Sequence, residues 1–282
     1  MKFSYVGGLM LCTSFALASP PADPDSLNRW NHSVVGAWTF TQVSYSDWVQ
    51  GGQNALAHTV TLDGKSDFDA EVTNWSNSYK FAFGQTRLGD QGLRKTDDKI
   101  DLQTVFTYKL GTHINPYVSG TLKTQFAEGL KYDKDGRGTV VSRFFDPAYL
   151  TQAAGVGYQP LLELKTRLGA AIREIVTSTY VTYSDDPATT KIETVKIDGG
   201  FEWVAELAWK LEENILFTSK LELFSPVKDV KDVVLRGDNT LAVKVGKYIV
   251  INVNLQFINE KQVTPRTQVK ETLAFGLSYA LM

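Results

Sequence analysis

Hydrolytic chemistry in this chain would have to be built on one of three histidines, His32, His58 and His113, since a serine nucleophile needs an imidazole base and an acid or amide to orient it. They are scattered. His58 alternates with Val60 and Leu62, which puts it on an apolar face, and His113 lies in a tight turn signal, "GTHINP". Metal chemistry has no better start: no His pair stands at ligand spacing, and "DKDGRG" (133–138) has the composition of a turn but not the closing Glu of a calcium loop. Glycine-rich phosphate loops are missing, so no cofactor is expected. What remains are Lys, Arg, Asp and Glu of mixed sign, set at every second position of long extended stretches.

That spacing defines the elements that carry them. In "FEWVAELAWKL", Phe201, Trp203, Ala205, Leu207, Trp209 and Leu211 oppose Glu202, Val204, Glu206, Ala208 and Lys210, the period of a strand with one apolar and one polar face. "IDLQTVFTYKL", "ILFTSKLELF", "TLAVKVG", "IVINVNLQFI" and "LELKTRLGA" repeat the scheme, and helical periodicity of comparable length is missing. Strands are expected near 36–46, 55–70, 75–87, 98–111, 114–127, 147–159, 161–174, 196–211, 214–225, 234–246, 248–259 and 267–282, twelve in all. The polar faces nominate Asp63, Lys65, Asp101, Lys123, Glu163, Lys165, Arg167, Glu202, Glu206, Lys220 and Glu222 as an enclosed lining.

A soluble sandwich also alternates, so strand length, loop length and aromatic placement must decide. Most of these strands reach the roughly 9 to 11 residues that cross a bilayer at a tilt. "EVTNWS", "GTHINP", "YQPL", "LEEN" and "GK" are tight connections. "SDWVQGGQN", "RLGDQGLRKTDD", residues 127–146, residues 175–195, "SPVKDVKDVVLRG" and "NEKQVTPRT" are long. Short turns on one rim and long loops on the other mark an outer-membrane barrel, with the short turns in the periplasm. Trp38, Trp75, Tyr79, Tyr108, Tyr117, Tyr158, Trp209, Tyr248 and Tyr279 gather toward the short-turn rim, as interface aromatics do. The fold class expected is therefore an all-β, transmembrane antiparallel barrel.

The two ends agree with export. Residues 1–18 pair one charge, Lys2, with an apolar stretch and Ala16-Leu17-Ala18, the layout of a cleaved signal peptide. Its removal takes away the only cysteine, Cys12, and moves the formal charge from −2 to −3, a balance with no pull toward nucleic acid. Residues 19–33 are expected as a periplasmic tail and 34–282 as the barrel. Gly276, Tyr279 and Leu281 stand as G-x-x-aromatic-x-apolar, similar to the C-terminal signal that the outer-membrane insertion machinery reads, and the last strand must pair with the first to leave no open edge.

Four stretches carry a family resemblance: "FTQVSYSDWVQGGQN" with Ser46, Trp48, Gly51, Gly52 and Asn54, then "LRKTDDKIDL", "LKTQFAEG" and "FDPAYLTQAAGVGYQP". In order and content they resemble an uncharacterised outer-membrane family, a domain of unknown function common in Bacteroidota and their relatives. The resemblance implies a Gram-negative outer-membrane barrel and carries no established activity. Arg94, Lys95, Asp97 and Asp98 are expected as a charged rim network at the mouth of the fourth strand. The function expected is a non-enzymatic barrel in contact with outer-membrane lipids, either a narrow channel for small polar solutes or a scaffold whose loops meet a protein partner. The alternatives are an outer-membrane hydrolase acting on lipid or peptide, and a secreted soluble β-protein.

Overall fold

The computed structural model describes residues 28–44, 53–186, 188–261 and 263–281. The expected signal peptide, most of the expected tail, and Ser46, Trp48, Gly51 and Gly52 of the first long loop lie outside the described residues.

Period-two patterning is realised as strands throughout: β1 Arg29–Val43, β2 Ala55–Asp69, β3 Thr73–Leu88, β4 Arg94–Tyr108, β5 Ile114–Thr124, β6 Gly129–Tyr132, β7 Gly138–Ser142, β8 Ala148–Tyr158, β9 Leu164–Val176, β10 Val195–Glu212, β11 Ile215–Pro226, β12 Val234–Lys244, β13 Ile249–Asn259 and β14 Gln268–Ala280. Twelve of them close into one antiparallel barrel in the order β1-β14-β13-β12-β11-β10-β9-β8-β5-β4-β3-β2, while β6 and β7 form a separate hairpin inside the longest loop. Every barrel strand thus pairs on both edges, which satisfies its backbone groups without water.

Several boundaries differ from expectation, three of them at the ends that matter for the lining and the rims. β1 starts at Arg29, and Arg29–Val34 pair with Asp69–Gly64 of β2, so the tail boundary expected at residue 33 falls inside a strand. The connection between β3 and β4 is only residues 89–93, because both strands continue through the polar residues that read as loop. β9 begins at Leu164, since 159–163 are used up in the turn.

The closing ladder is short. β1 pairs with β2 from Arg29↔Asp69 to Val43↔Ala55, but with β14 only over Val35↔Ala280 to Trp38↔Leu277 among the described residues. Tyr279 sits opposite Gly36 in this ladder, and the Leu281 N–H donates to the Val34 carbonyl at 2.7 Å.

The apolar faces point out. Phe201, Trp209 and Leu211 of β10 are about half exposed while Val204 and Glu202 are buried, as the alternation predicts. Trp38, Trp75, Tyr108, Tyr158, Tyr248 and Tyr279 are likewise exposed on the outside. Tyr117 is an exception: it is 4% exposed and turned inward, because β5 puts Val118 and not Tyr117 on the outer face. Tyr79 does lie outside, over Gly64, where a side chain on the glycine would collide with the ring; Phe257 covers Gly237 in the same way.

Candidate functional site: the barrel lumen

The inward positions of neighbouring strands bring charges of both signs to mid-height. β4 supplies Lys99, Asp101 and Gln103, β5 Lys123, β9 Arg167 and Arg173, β10 Glu202 and Glu206, β11 Lys220 and Glu222, and β12 Arg236 and Asp238. Several of their bonds run across the barrel, beside others that run along the wall. Lys99 Nζ lies 3.5 Å from Asp238 and 4.0 Å from Asp101. β4 and β12 are six places apart in a ring of twelve, so the Lys99–Asp238 pair joins opposite strands. Lys123 of β5 is ion-paired with Glu222 of β11, and Lys220 binds Glu222 at 2.9 Å and Gln103 Oε1 at 2.7 Å. Gln103 Nε2 in turn donates to Glu206 at 3.3 Å. Nearer the long-loop rim, Lys270 of β14 reaches Asp97 of β4 at 3.1 Å.

Of the expected lining, Asp101, Lys123, Arg167, Glu202, Glu206, Lys220 and Glu222 meet in this network. Arg167 stands 4.0 Å from Glu202 and 3.8 Å from Glu206. Asp63 faces Lys80 across the β2–β3 ladder, and Lys65 pairs with Asp67 at 2.8 Å toward the short-turn end. Lys165 lies opposite Glu206 in the β9–β10 ladder. Glu163 does not belong to the lining: it is exposed in the 159–163 turn, where its carbonyl accepts from the Ala208 N–H at 2.9 Å.

A second cluster, which the sequence reading missed, caps the lumen at the long-loop rim. Glu260, just past β13, accepts from Arg173 Nη2 at 2.6 Å and from Arg236 Nη2 at 3.1 Å. Both guanidinium groups also lie over the Tyr149 ring, at 5.4 and 5.0 Å. Burial alone would raise the Glu260 carboxyl, but the two arginines outweigh it and hold the carboxyl below the ordinary glutamate range. Arg173, Arg236 and Asp238 share strand parity with Arg167, Lys165 and Lys244, a signal present in the sequence. Glu260 lies beyond its strand, where parity no longer applies.

The "RKTDD" residues act as a clasp. Arg94 to Asp98 lie within β4 rather than in a loop. Asp98 accepts from the Phe126 and Ala127 N–H groups at 2.6 and 2.9 Å and from Lys95 at 2.7 Å, while Lys95 also donates to the Ala127 carbonyl at 2.9 Å. Arg94 stacks 4.0 Å over Tyr132 of the β6–β7 hairpin. The group is a structural rim network that anchors the longest loop. Asp146 does similar work for the next loop, with Oδ2 accepting from the Thr179 N–H at 2.7 Å. Asn54 ends the first long loop, where its carbonyl accepts from the Gly89 N–H at 2.7 Å.

The histidines stay apart. His32 lies in β1 with Nδ1 2.8 Å from Ser66 Oγ, stacked on Trp30 on the outer face near the short turns. His58 sits in β2 opposite Phe40, and His113 lies in a short turn. Among the described residues no group of three or more His, Cys, Asp or Glu side chains is placed to hold a metal.

A family model described as a protein of unknown function (DUF3078) matches residues 40–130. That span contains three of the four stretches that carry the resemblance; "FDPAYLTQAAGVGYQP" lies beyond it. No curated protein matches the chain. Solved structures similar to it include an outer-membrane channel from Pseudomonas putida F1 (10% identity, 93% of this chain and 99% of that one, TM-score 0.41). The translocator domain of the autotransporter NalP from Neisseria meningitidis aligns at 12% identity over 88% and 86% of the two chains, TM-score 0.37. The outer-membrane channel DcaP of Acinetobacter baumannii aligns at 10% identity over 89% and 97%, TM-score 0.33.

Proposed function

We propose that this chain is a non-enzymatic outer-membrane barrel that passes small polar solutes through a narrow lumen held shut at mid-height by ion pairs. The observation that carries the reading is the Lys99–Asp238 contact between opposite strands. A lumen crossed at this level excludes bulky solutes. Its closure, however, rests on side chains that are 31% and 26% exposed, so water competes for them and rotamer changes suffice to part them. A barrel meant only as a plug would be more stable with an apolar filling, because buried ion pairs repay their desolvation poorly.

The exposed apolar and aromatic exterior suits outer-membrane lipid, and Gly276, Tyr279 and Leu281 suit recognition by the insertion machinery after cleavage of residues 1–18. The clasped long loops offer a surface to an extracellular partner. His32 and Ser66 do not amount to a hydrolase: among the described residues no carboxylate bonds the second ring nitrogen, which a Ser–His–acid set requires.

Planar-bilayer recording tests the reading. Small conductance steps are expected from the wild-type protein, and larger ones from Lys99→Met, which removes the bond between opposite strands and leaves the Lys123–Glu222 crossing in place. Traces from both that match protein-free bilayers would overturn the channel and favour the loop-scaffold role.

A further inference from the structure

The outer wall is not bare everywhere. On β4, β5 and β8 the even-numbered positions face out, as Phe106, Val118 and Val156 do at 40%, 54% and 48% exposure. Three such positions form a cross-strand row in which Ile100 pairs with Thr124, and Ala148 follows one step past the Lys123↔Tyr149 pair. They are only 7%, 7% and 0% exposed. The chain between β5 and β8 covers them. Asp98 also faces out, because Asp97 and Lys99 on either side of it make lumen contacts. Its carboxylate accepts from the Phe126 and Ala127 N–H groups, which holds this stretch against the outside of the barrel rather than over its mouth. The Phe126 ring packs 5.9 Å from that of Phe81, which is in phase with the outward Trp75 and Tyr79 of β3. Gln125 Nε2 donates to the Arg143 and Asp146 carbonyls at 2.5 and 3.0 Å, tying the start of the excursion to a turn near its end. That turn holds Phe145 at φ 59° and sets its ring 6.1 Å from that of Phe144.

From this packing we infer that the segment between β5 and β8 is a lipid-docking element, seated at the boundary between head groups and acyl chains on the long-loop side, with the rings of Phe126, Phe144 and Phe145 reaching the acyl chains. The three rings are 42%, 62% and 40% exposed. They extend a surface that already faces lipid: the covered row continues into outward Phe81, paired with Ile100, and on its other side through Val176 to Val195, which is 45% exposed. An exposed apolar patch continuous with such a surface fits lipid as its partner. Backbone laid on this wall finds little water, so it needs partners from the protein. Asp98 supplies them to two N–H groups and Lys95 to the Ala127 carbonyl, while the two charges neutralise each other at 2.7 Å. The docking stands whether or not the lumen conducts.

Site-directed spin labelling tests this, because Cys12 is the only cysteine and Cys12→Ser gives a background without thiols. Single nitroxides are placed at Phe126→Cys and Phe144→Cys in the full chain, reconstituted into phosphatidylcholine vesicles. Their collision rates with oxygen, which concentrates among acyl chains, and with a water-soluble nickel chelate are read by EPR. Leu168→Cys on the outward face of β9 serves as the lipid reference and Lys191→Cys in the exposed loop between β9 and β10 as the water reference. Heat-modifiable migration on detergent gels confirms that each labelled protein folds. The ratio of oxygen to nickel collisions at 126 and at 144 is expected to exceed that at 191 several-fold and to approach that at 168. A ratio at either position no higher than at 191 overturns the docking. Spectral broadening at 126 or 144 that grows with protein density in the vesicles would assign the face to a second copy of the chain and overturn it as well.

Discussion

Around the seam, Thr39, Thr59, Thr61, Asn254, Thr272 and Ala274 face inward at 0 to 5% exposure, and all are uncharged. The facing wall, from β4 and β5 through β9 to β12, carries the linked charge network, while the seam side adds Asp63, Lys65 and Lys80 in the β2–β3 ladder and Lys270 of β14. The two walls satisfy their polar groups over different distances. On the seam side the bonds are local: Thr39 Oγ1 donates to the Thr59 carbonyl at 3.4 Å in the adjacent strand, and Asn254 Nδ2 donates to the Asn239 carbonyl at 3.1 Å and to Thr240 Oγ1 at 2.8 Å in the next one. On the charged side local pairs such as Lys220–Glu222 and Arg167–Glu206 are joined by partners four to six strands away, Lys123–Glu222 and Lys99–Asp238. A wall bonded to its own neighbours keeps its shape when the far side moves, whereas a wall bonded across the lumen can change partners. The seam wall is therefore the frame and the charged wall is the adjustable part.

The largest effect should come from placing the same new charge on each wall. Ala274→Arg inserts a guanidinium where exposure is 0% and the adjoining Ala37 and Asn252 are uncharged, a buried charge expected to cost about 3 to 5 kcal/mol or more and to prevent stable assembly. Ala208→Arg, inward on the charged wall, should assemble with nearly normal yield. Heat-modifiable migration on detergent gels reads both, and equal yields would erase the distinction between the walls.

Next is the cap. Glu260→Ala leaves Arg173 and Arg236 without their shared anion and should cost about 3 to 5 kcal/mol in thermal stability, since the side chains of Arg173 and Glu260 are 7% and 4% exposed. The pH dependence has a defined sign. Glu260 titrates lower when folded than when unfolded, so its contribution is fully present above the ordinary glutamate value of about 4.3 and is lost as pH falls through the folded value. Acid melting curves of wild type and Glu260→Ala should therefore converge below that range.

Leu207→Arg probes the outer face of the charged wall. A lipid-facing Arg costs about 2 to 4 kcal/mol at the midplane and less toward the rims, and Leu207 lies opposite Leu164 at the short-turn end of β9, so insertion yield should fall moderately below that of Ala208→Arg one position on. The smallest effect on stability is expected from Lys99→Met. Its pair with Asp238 is partly exposed and worth about 1 kcal/mol or less, so the melting temperature should hardly move while conductance rises.

Much of this was legible from the chain, for a physical reason. A strand's side chains alternate strictly, so the face of Glu202, Glu206, Lys220 and Glu222 follows from the apolar residues between them, and so does the barrel that needs an apolar outside. Parity does not say how far a strand runs. Arg94 to Asp98 read as a loop because polar residues at a rim look the same inside or outside a ladder. Glu163 was assigned to the lining by parity with Lys165, although the turn ends between them. Parity also does not name the partner across the lumen. That Lys99 meets Asp238, and that Glu260 folds back over Arg173 and Arg236, depends on the width of the closed ring and the path of a loop, and neither is written in the local pattern.

The ladder between β1 and β14 joins Val35–Trp38 to Ala280–Leu277, against the unbroken run from Arg29 to Val43 that ties β1 to β2. A ring opens first where the fewest bonds must break together, so the free energy of local opening is lowest at this joint. Amide hydrogens there should exchange with solvent deuterium earlier than those of the β1–β2 ladder, which makes the seam the place where the cylinder breathes.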